Sequence, residues 1–363
     1  MKAWRFHALG DWRFDDVPLP KARRREILVR IRVVQPSVSE VAIAQGGATI
    51  NAGRFTRLVK DRAPVQALGH EFSGEVVSSG PGVTRYRPGD RVACYNPVVP
   101  CGTCLFCKSG RGYACADGPM LGYELPGCFA EYAAMPESCV VPIPKKMSFQ
   151  AGACVQSLDS AMSCALMAKD KIRGGVVVVL GQGVLGLALT QMARHLGARR
   201  IITTARREQS IRLSKKLGAH IAINVDKEDA VQKVMTITKG RGAGVVFECA
   251  GGPEAFGLAG KKTLDDALAL VAMEGLVVQP ATVVGDMTLD LGRLRNNRLN
   301  LSWPRALTPA EARLLVRWMA AGLVRVEPTI THAVQGLDSA PKAFEITRDR
   351  RNLGGINPCQ IIL

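Results

Sequence analysis

VVVVLGQGVLGLALTQMARHLG (176–197) decides the fold. The unbroken apolar run Val176 to Leu180 reads as a strand buried on both faces, and the residues after Gly186 recur at helical spacing. Between them Gly181, Gly183 and Gly186 form G-Q-G-V-L-G. A lone G-x-G-x-x-G is a weak signal, but strand, turn and helix here supply the context its mechanism requires. The first glycine permits the tight turn, the second lets backbone approach a pyrophosphate, and the third allows close helix–strand packing. At the helix start, Val184 and Leu185 carry unpaired N–H groups that favour phosphate charge. A dinucleotide site on a doubly wound parallel α/β sheet follows.

Strands and helices alternate downstream through RIITTA (200–205), a helix over 208–217, HIAINV, a helix over 228–239, GVVFECA and GLVVQPA. Upstream of about residue 155 the pattern is different. Short strands punctuated by Gly and Pro, such as EILVRIRVV (26–34), FSGEVVSSG (72–80), DRVACYNPVV (90–99) and FAEYAAM (129–135), predict a β-rich, barrel-like domain. The last sixty residues hold the helices TPAEARLLVRWMAAG and SAPKAFEITRD and a short apolar tail.

The 363 residues suffice for two domains with their own cores. Apolar residues make up 47% and charged residues 22%, ordinary for a globular protein. No stretch approaches the ~20 apolar residues of a membrane span, and MKAWRFHALGDWRF has no secretory apolar core. Cysteines 94, 128, 139, 154, 164, 249 and 359 are scattered in apolar contexts, as suits free thiols in a reducing cytoplasm. The net charge of +17 is spread along the chain, without an aromatic-interleaved basic stripe. It reads as a field that steers an anionic cofactor, and an anionic small-molecule substrate, rather than nucleic acid.

The end of RIITTA selects the dinucleotide. An NAD site places Asp or Glu about 20 residues beyond the glycines to hold the ribose 2′-OH. Here Thr204 and Ala205 end the strand and Arg206 and Arg207 follow. No carboxylate stands there to repel a 2′-phosphate, and two guanidiniums stand ready to bind it. Between 194 and 216 eight Lys/Arg face Glu208 alone. NADP(H) is expected.

Cys101, Cys104, Cys107 and Cys115, in CGTCLFCKSGRGYAC, are spaced C-x2-C-x2-C-x7-C. Short spacings of this kind let one loop surround a tetrahedral zinc, and four thiolates leave no open position, so the role is structural. An iron–sulfur cluster is disfavoured, because no Cys-Pro follows and no second cluster motif exists.

Gly69-His70-Glu71 in LGHEFSGEV, the four-cysteine loop, FAEY, and the glycine motif followed by KKLGA together resemble a zinc-type medium-chain alcohol dehydrogenase. The likeness is strongest to its butanediol, sorbitol and threonine dehydrogenase branch. It runs from Met1 to about Arg350, with room for an insertion near AFGLAGKKTL (255–264). The resemblance implies a GroES-like catalytic domain over 1–155, a Rossmann domain over 156–305, and a C-terminal segment, 306–363, returning to the catalytic domain. It also implies a homodimer or homotetramer. In such enzymes a catalytic zinc is held by the Cys of a CGTD-like motif, the His of GHE, and a Cys or Glu before the Rossmann domain.

The chain departs from that pattern at the reacting centre. In PSVSEVAIAQG (36–46), Ser37 takes the Cys position, Ser39 the Thr, Glu40 the Asp, and Ala42 that of a His used in proton relay. In GACVQSLDSAM (152–162), Gln156 stands at the third ligand and Ser160 at the Thr that contacts nicotinamide. A hydroxyl and a neutral amide are poor zinc ligands, so a tightly held catalytic zinc is not expected. Glu71 and Cys154 stay open as substitutes. Without the metal, His70 becomes the proton donor, Ser37 and Ser39 hydrogen-bond the carbonyl oxygen, and Glu40 or Glu71 orients His70. Tyr123 and Glu124 are placed beside this centre. The expected activity is NADP(H)-dependent hydride transfer to or from an alcohol/carbonyl, C=C or C=N substrate. The competing reading is a catalytically inactive NADP(H)-binding sensor of the same fold.

Overall fold

The computed structural model describes residues 1–47, 49, 51–252, 259–281 and 288–363. The chain forms two compact units, one of 1–159, 306–320 and 326–363, the other of 160–305 and 321–325. Sequence places the change at 155/156. The units divide at 159/160, inside the helix Val155–Met167, and 321–325 pack with the second unit.

In the first unit, β1 (Lys2–Ala8) and β2 (Asp11–Asp16) form an antiparallel hairpin. The larger sheet is built around β3 (Glu26–Gln35), whose EILVRIRVVQ run buries most of its residues. Along its length β3 pairs antiparallel with β4 (Glu71–Ser79), and its first half pairs with β6 (Tyr132–Pro136). Beyond β4 lie β5 (Arg91–Cys94) and β7 (Val140–Pro142). β5 is shorter than the expected 90–99, since Pro97 lacks a ladder donor.

The hairpin is held by aromatic side chains. Trp12 meets Trp4, Phe6, Phe129 and Phe344 at centroid distances of 4.4–5.8 Å. Phe344 lies on the helix Ala340–Asp349, so this cluster ties the C-terminal segment into the N-terminal core.

In the second unit, β8 (Val176–Leu180), β9 (Arg200–Ala205), β10 (Ile221–Asn224), β11 (Ala243–Glu248), β12 (Val271–Val278) and β13 (Asn300–Ser302) form one parallel sheet. Its order is β10-β9-β8-β11-β12-β13, so the winding reverses at β8. A ligand site is expected at the carboxyl end of the strand where the order reverses, and the glycine turn lies there. Helices Val184–His195, Glu208–Lys216, Ala230–Ile237 and Lys262–Leu270 connect the strands. Residues 255–258 of the expected insertion lie outside the described residues, and Lys262 opens a helix. The chain closes with β14 (Ala333–Gln335) and β15 (Gln360–Ile362), and β15 joins β3 in the first unit. Among the described residues no helix is long and apolar enough to cross a membrane.

Candidate active site

The reacting centre of the first unit is organised by Glu40. Ser37 caps the helix Val38–Ala44: its Oγ accepts from the Glu40 N–H at 3.2 Å, while Glu40 Oε2 accepts from the Ser37 N–H at 2.9 Å. The other oxygen, Oε1, accepts the Gly69 N–H at 2.6 Å and lies 2.7 Å from His70 Nδ1. That last contact is an ion-pair distance whose angle departs from hydrogen-bond geometry. Glu40 is fully buried. Burial would raise its pKa, but the His70 charge and the backbone donors bring it below the usual carboxylate range. Burial acts downward on His70, and the Glu40 carboxylate overrides it, leaving a raised pKa. Each group thus favours its charged form in the presence of the other.

The backbone that presents His70 is bent sharply. Leu68 and Gly69 both take positive φ, 63° and 85°. A side chain at Gly69 would also strike the Cys128 and Phe129 backbone nitrogens at 2.9 Å. The loop 121–127 clasps this bend, with Leu68 N–H donating to Gly122 O at 2.6 Å and Cys128 N–H to Gly69 O at 2.9 Å. Tyr123 is carried on that loop, its ring 6.2 Å from the His70 ring.

Glu71 faces a different partner. Its Oε2 accepts from Gln35 Nε2 at 2.5 Å, and Gln35 Oε1 accepts from Asn357 Nδ2 at 2.8 Å and Gln360 Nε2 at 2.9 Å. Burial pushes the Glu71 carboxyl up to about 7. Cys154 is buried against the same amides, its Sγ 3.6 Å from Gln360 Nε2. Asp159, which sequence reading passed over, adds its charge to both His70 and Glu71. It lies one helical turn beyond Gln156, which is half-buried. Ser39 is exposed, its hydroxyl 3.2 Å from that of Ser37. Glu124 is engaged by Arg54 at 3.2 Å and the Met120 N–H at 3.0 Å, so it braces the loop.

In the second unit the three glycines divide their work as steric limits demand. Gly181 turns at φ 87°, where a Cβ would meet Ala250 Cβ at 2.8 Å. A Cβ at Gly186 would lie 1.9 Å from the Gly181 carbonyl oxygen. Nothing stands within 4 Å of a Cβ at Gly183, which leaves open space at the start of the helix. That helix has no side-chain cap, so its first N–H groups remain for an anion. The site fits a pyrophosphate held beside Val184 and Leu185. Two buried struts, missed in the sequence, shape the turn. The Gln182 amide donates to Gly181 O at 3.1 Å, and Glu248 Oε1 accepts the Ala250 and Gly251 N–H groups at 2.8 and 2.7 Å.

Thr204 O accepts the Gly181 N–H at 3.0 Å, joining the end of β9 to the turn. Beyond the buried Ala205, Arg206 is exposed, and Arg207, half-buried, has its guanidinium pKa lowered by burial. Glu208 is occupied: its Oε1 takes Asn224 Nδ2 and Lys227 Nζ, both at 2.8 Å. Ser160 starts this unit on the helix Val155–Met167.

Comparison with known proteins agrees with this geometry. Residues 23–145 match the alcohol dehydrogenase GroES-like domain, and residues 184–321 the zinc-binding dehydrogenase family. L-threonine 3-dehydrogenase of Pyrococcus furiosus is 31% identical over 342 residues, 92% of this chain and 91% of that protein. The chain belongs to the zinc-binding medium-chain dehydrogenase family. Among solved structures, AibC superposes with a TM-score of 0.83 at 28% identity, over 100% of this chain and 95% of that one. A zinc-binding dehydrogenase of Sinorhizobium meliloti bound to NADP gives 0.81 at 25% identity, over 100% and 99%. This dehydrogenase is thus an oxidoreductase with a GroES-like domain and a Rossmann domain.

Its two family zinc positions differ in donor chemistry. In the cysteine loop all four sulfurs lie within 4.8 Å of one another, with Cys101–Cys107 and Cys104–Cys115 separations of 3.9 and 3.8 Å. A tetrahedron with Zn–S of ~2.3 Å has edges of about 3.8 Å, so the loop fits zinc. The Thr103 hydroxyl and the Cys104 N–H hold the Cys101 thiol down to about 6. At His70 the fit fails. Ser37 Oγ is committed to the cap, Gln156 carries no charge, and Glu71 and Cys154 face the Gln35 amide cluster. Among the described residues, no three metal-binding side chains converge outside the cysteine loop.

Two outcomes follow for this dehydrogenase. Purified protein should carry about one zinc per chain by mass spectrometry, and Cys104→Ser should lose it and expose the loop to proteolysis. Glu71, raised by folding, holds a proton that the unfolded chain has already released. Stability should therefore fall as pH rises from about 4.5 to about 7, by at most ~3 kcal/mol. In Glu71→Gln the urea midpoints at pH 5 and pH 7 should draw together.

Proposed function

We propose that this dehydrogenase transfers a hydride between NADP(H) and an alcohol/carbonyl pair. The observation that carries the cofactor choice is the β9 terminus. Ala205 presents no acid, Arg206 and Arg207 follow it, and the carboxylate of Glu208 is held by Asn224 and Lys227. The open space at Gly183 and the uncapped helix N-terminus support the same dinucleotide. The relatives named for L-threonine and the family named for alcohols support an alcohol as the reduced substrate.

NADPH, when bound, supplies the hydride. The chain's own contribution is to place a proton. Glu40 holds Nδ1 of a charged His70, which leaves Nε2–H to donate to the substrate oxygen. In oxidation the neutral imidazole takes that proton back. Ser37, at the helix cap, keeps a hydroxyl proton to offer beside it, and Asp159 adds to Glu40 in sustaining the imidazolium. Glu40 and Asp159 already surround His70 with negative charge, so we assign the +17 field to steering the dinucleotide. We read the working assembly as a homodimer or homotetramer in the cytoplasm, on family likeness.

NADPH should bind at least tenfold more tightly than NADH, since charge-assisted phosphate contacts contribute ~1.5–3 kcal/mol each. The double change Ala205→Asp, Arg206→Ala should erase that preference, and equal affinities in the unmodified protein would sink the assignment. His70→Asn should lower carbonyl reduction by ~10²–10⁴-fold at unchanged NADPH affinity. The unmodified enzyme should lose reductase rate as pH rises past the elevated pKa of His70 and survive mild chelation. NADPH binding with no turnover on any small carbonyl would instead favour the sensor.

A further inference from the structure

Tyr123 is among the largest fully buried side chains, 1% exposed, and its hydroxyl has no hydrogen-bond partner in ordinary geometry. The Asn51 side chain is close enough to act on the phenol, but it makes no hydrogen bond of ordinary geometry to it. An enclosed phenol without a partner is uncommon, because the hydrogen bond lost to water is not replaced. Its place is fixed by the loop 121–127, which is bonded at Gly122 and Cys128 to the Leu68–Gly69 bend that presents His70. The rings of Tyr123 and His70 lie 6.2 Å apart at 40°, and the carboxylates of Glu40 and Glu71 both act on the phenol. A phenylalanine would fill the same volume with no orphaned group. The hydroxyl therefore calls for a ligand atom beside His70.

We propose that Tyr123 is a second donor at the reacting oxygen, its O–H hydrogen-bonded to the same substrate oxygen that His70 protonates. This rests on the reading of His70 as the acid. As hydride from NADPH bonds to the carbonyl carbon, the C=O π pair moves onto oxygen. The Tyr123 O–H holds that charge and keeps its own proton. His70 Nε2–H then gives the proton that completes the alcohol, leaving a neutral imidazole and NADP⁺. The substrate class this favours presents one polarised oxygen to two converging donors, as a ketone or aldehyde does.

The test is Tyr123→Phe in the full-length, zinc-loaded protein. Reduction of a small ketone and aldehyde panel with NADPH should lose about 10²-fold in kcat, with NADPH affinity unchanged and thermal stability equal or higher. A kcat within twofold of the unmodified enzyme would overturn the proposal. A second measurement does not need turnover. Titration of the NADPH-loaded protein with a primary carboxamide, whose carbonyl oxygen imitates the substrate's, should weaken about tenfold in Tyr123→Phe. Equal affinity in both proteins, or no binding by the unmodified one, would also overturn it. If the carboxamide result holds while the unmodified protein reduces no carbonyl, the oxidoreductase reading fails and the Tyr123 contact stands.

Discussion

One buried carboxylate organises the first unit. Glu40 has no solvent exposure, and an ion in that position is tolerable only if every lone pair is answered. It is answered from two directions. The Ser37 N–H closes the helix N-terminus on one oxygen, and the Gly69 N–H and His70 ring meet the other. The same side chain thus ends a helix, fixes a strained bend and sets the charge of an imidazole. Replacing it by an amide would leave His70 without its counter-charge and present a donor where two acceptors are needed. The helix cap and the His70 ion pair cannot be altered separately.

That arrangement changes what the reacting centre can offer. A zinc ion polarises an oxygen as a divalent Lewis acid and needs no proton. An imidazolium offers one positive charge and one proton, and it must be reset after each reduction. On the proposed reading such a centre needs carboxylates close enough to keep the ring charged, and Glu40 and Asp159 are placed for that. It also gains from additional neutral donors, because a single hydrogen bond stabilises an alkoxide less than a metal does. The cysteine loop is independent of this change. Its sulfurs keep tetrahedral separations because short spacings and N–H···S bonds within one loop determine them.

What was legible in the sequence follows the range of the interactions. The glycine turn, the β8 strand and the cysteine spacing are local patterns, and the structure places them as steric reasoning requires. The run Ser37-Val38-Ser39-Glu40 is equally local, since S-x-x-E is a capping-box signature. Gln35, Asn357 and Gln360 could not have been found this way, because a bond across 322 residues leaves no spacing to read. Asp159 was hidden for a related reason. It sits on an ordinary helix, and only packing brings its charge to His70 and Glu71. The hairpin of β1 and β2 likewise depends on Phe129 and Phe344, remote in sequence, to cover its aromatics.

Cofactor choice illustrates how residue type and residue availability differ. Counting charges from 194 to 216 shows an excess of cations, yet it also shows Glu208 three residues past Ala205. An acid there would oppose a 2′-phosphate if it were free to turn toward the ribose. In the fold Asn224, opposite Ala205 on the neighbouring strand, and Lys227 both bind the same Glu208 oxygen. The Lys227 contact is an exposed ion pair and contributes little to stability. The consequence of the two contacts is directional. They tie the carboxylate to the end of β10. On the proposed NADP(H) reading, selectivity at this strand end depends on a neutralised acid as much as on the guanidiniums beside it.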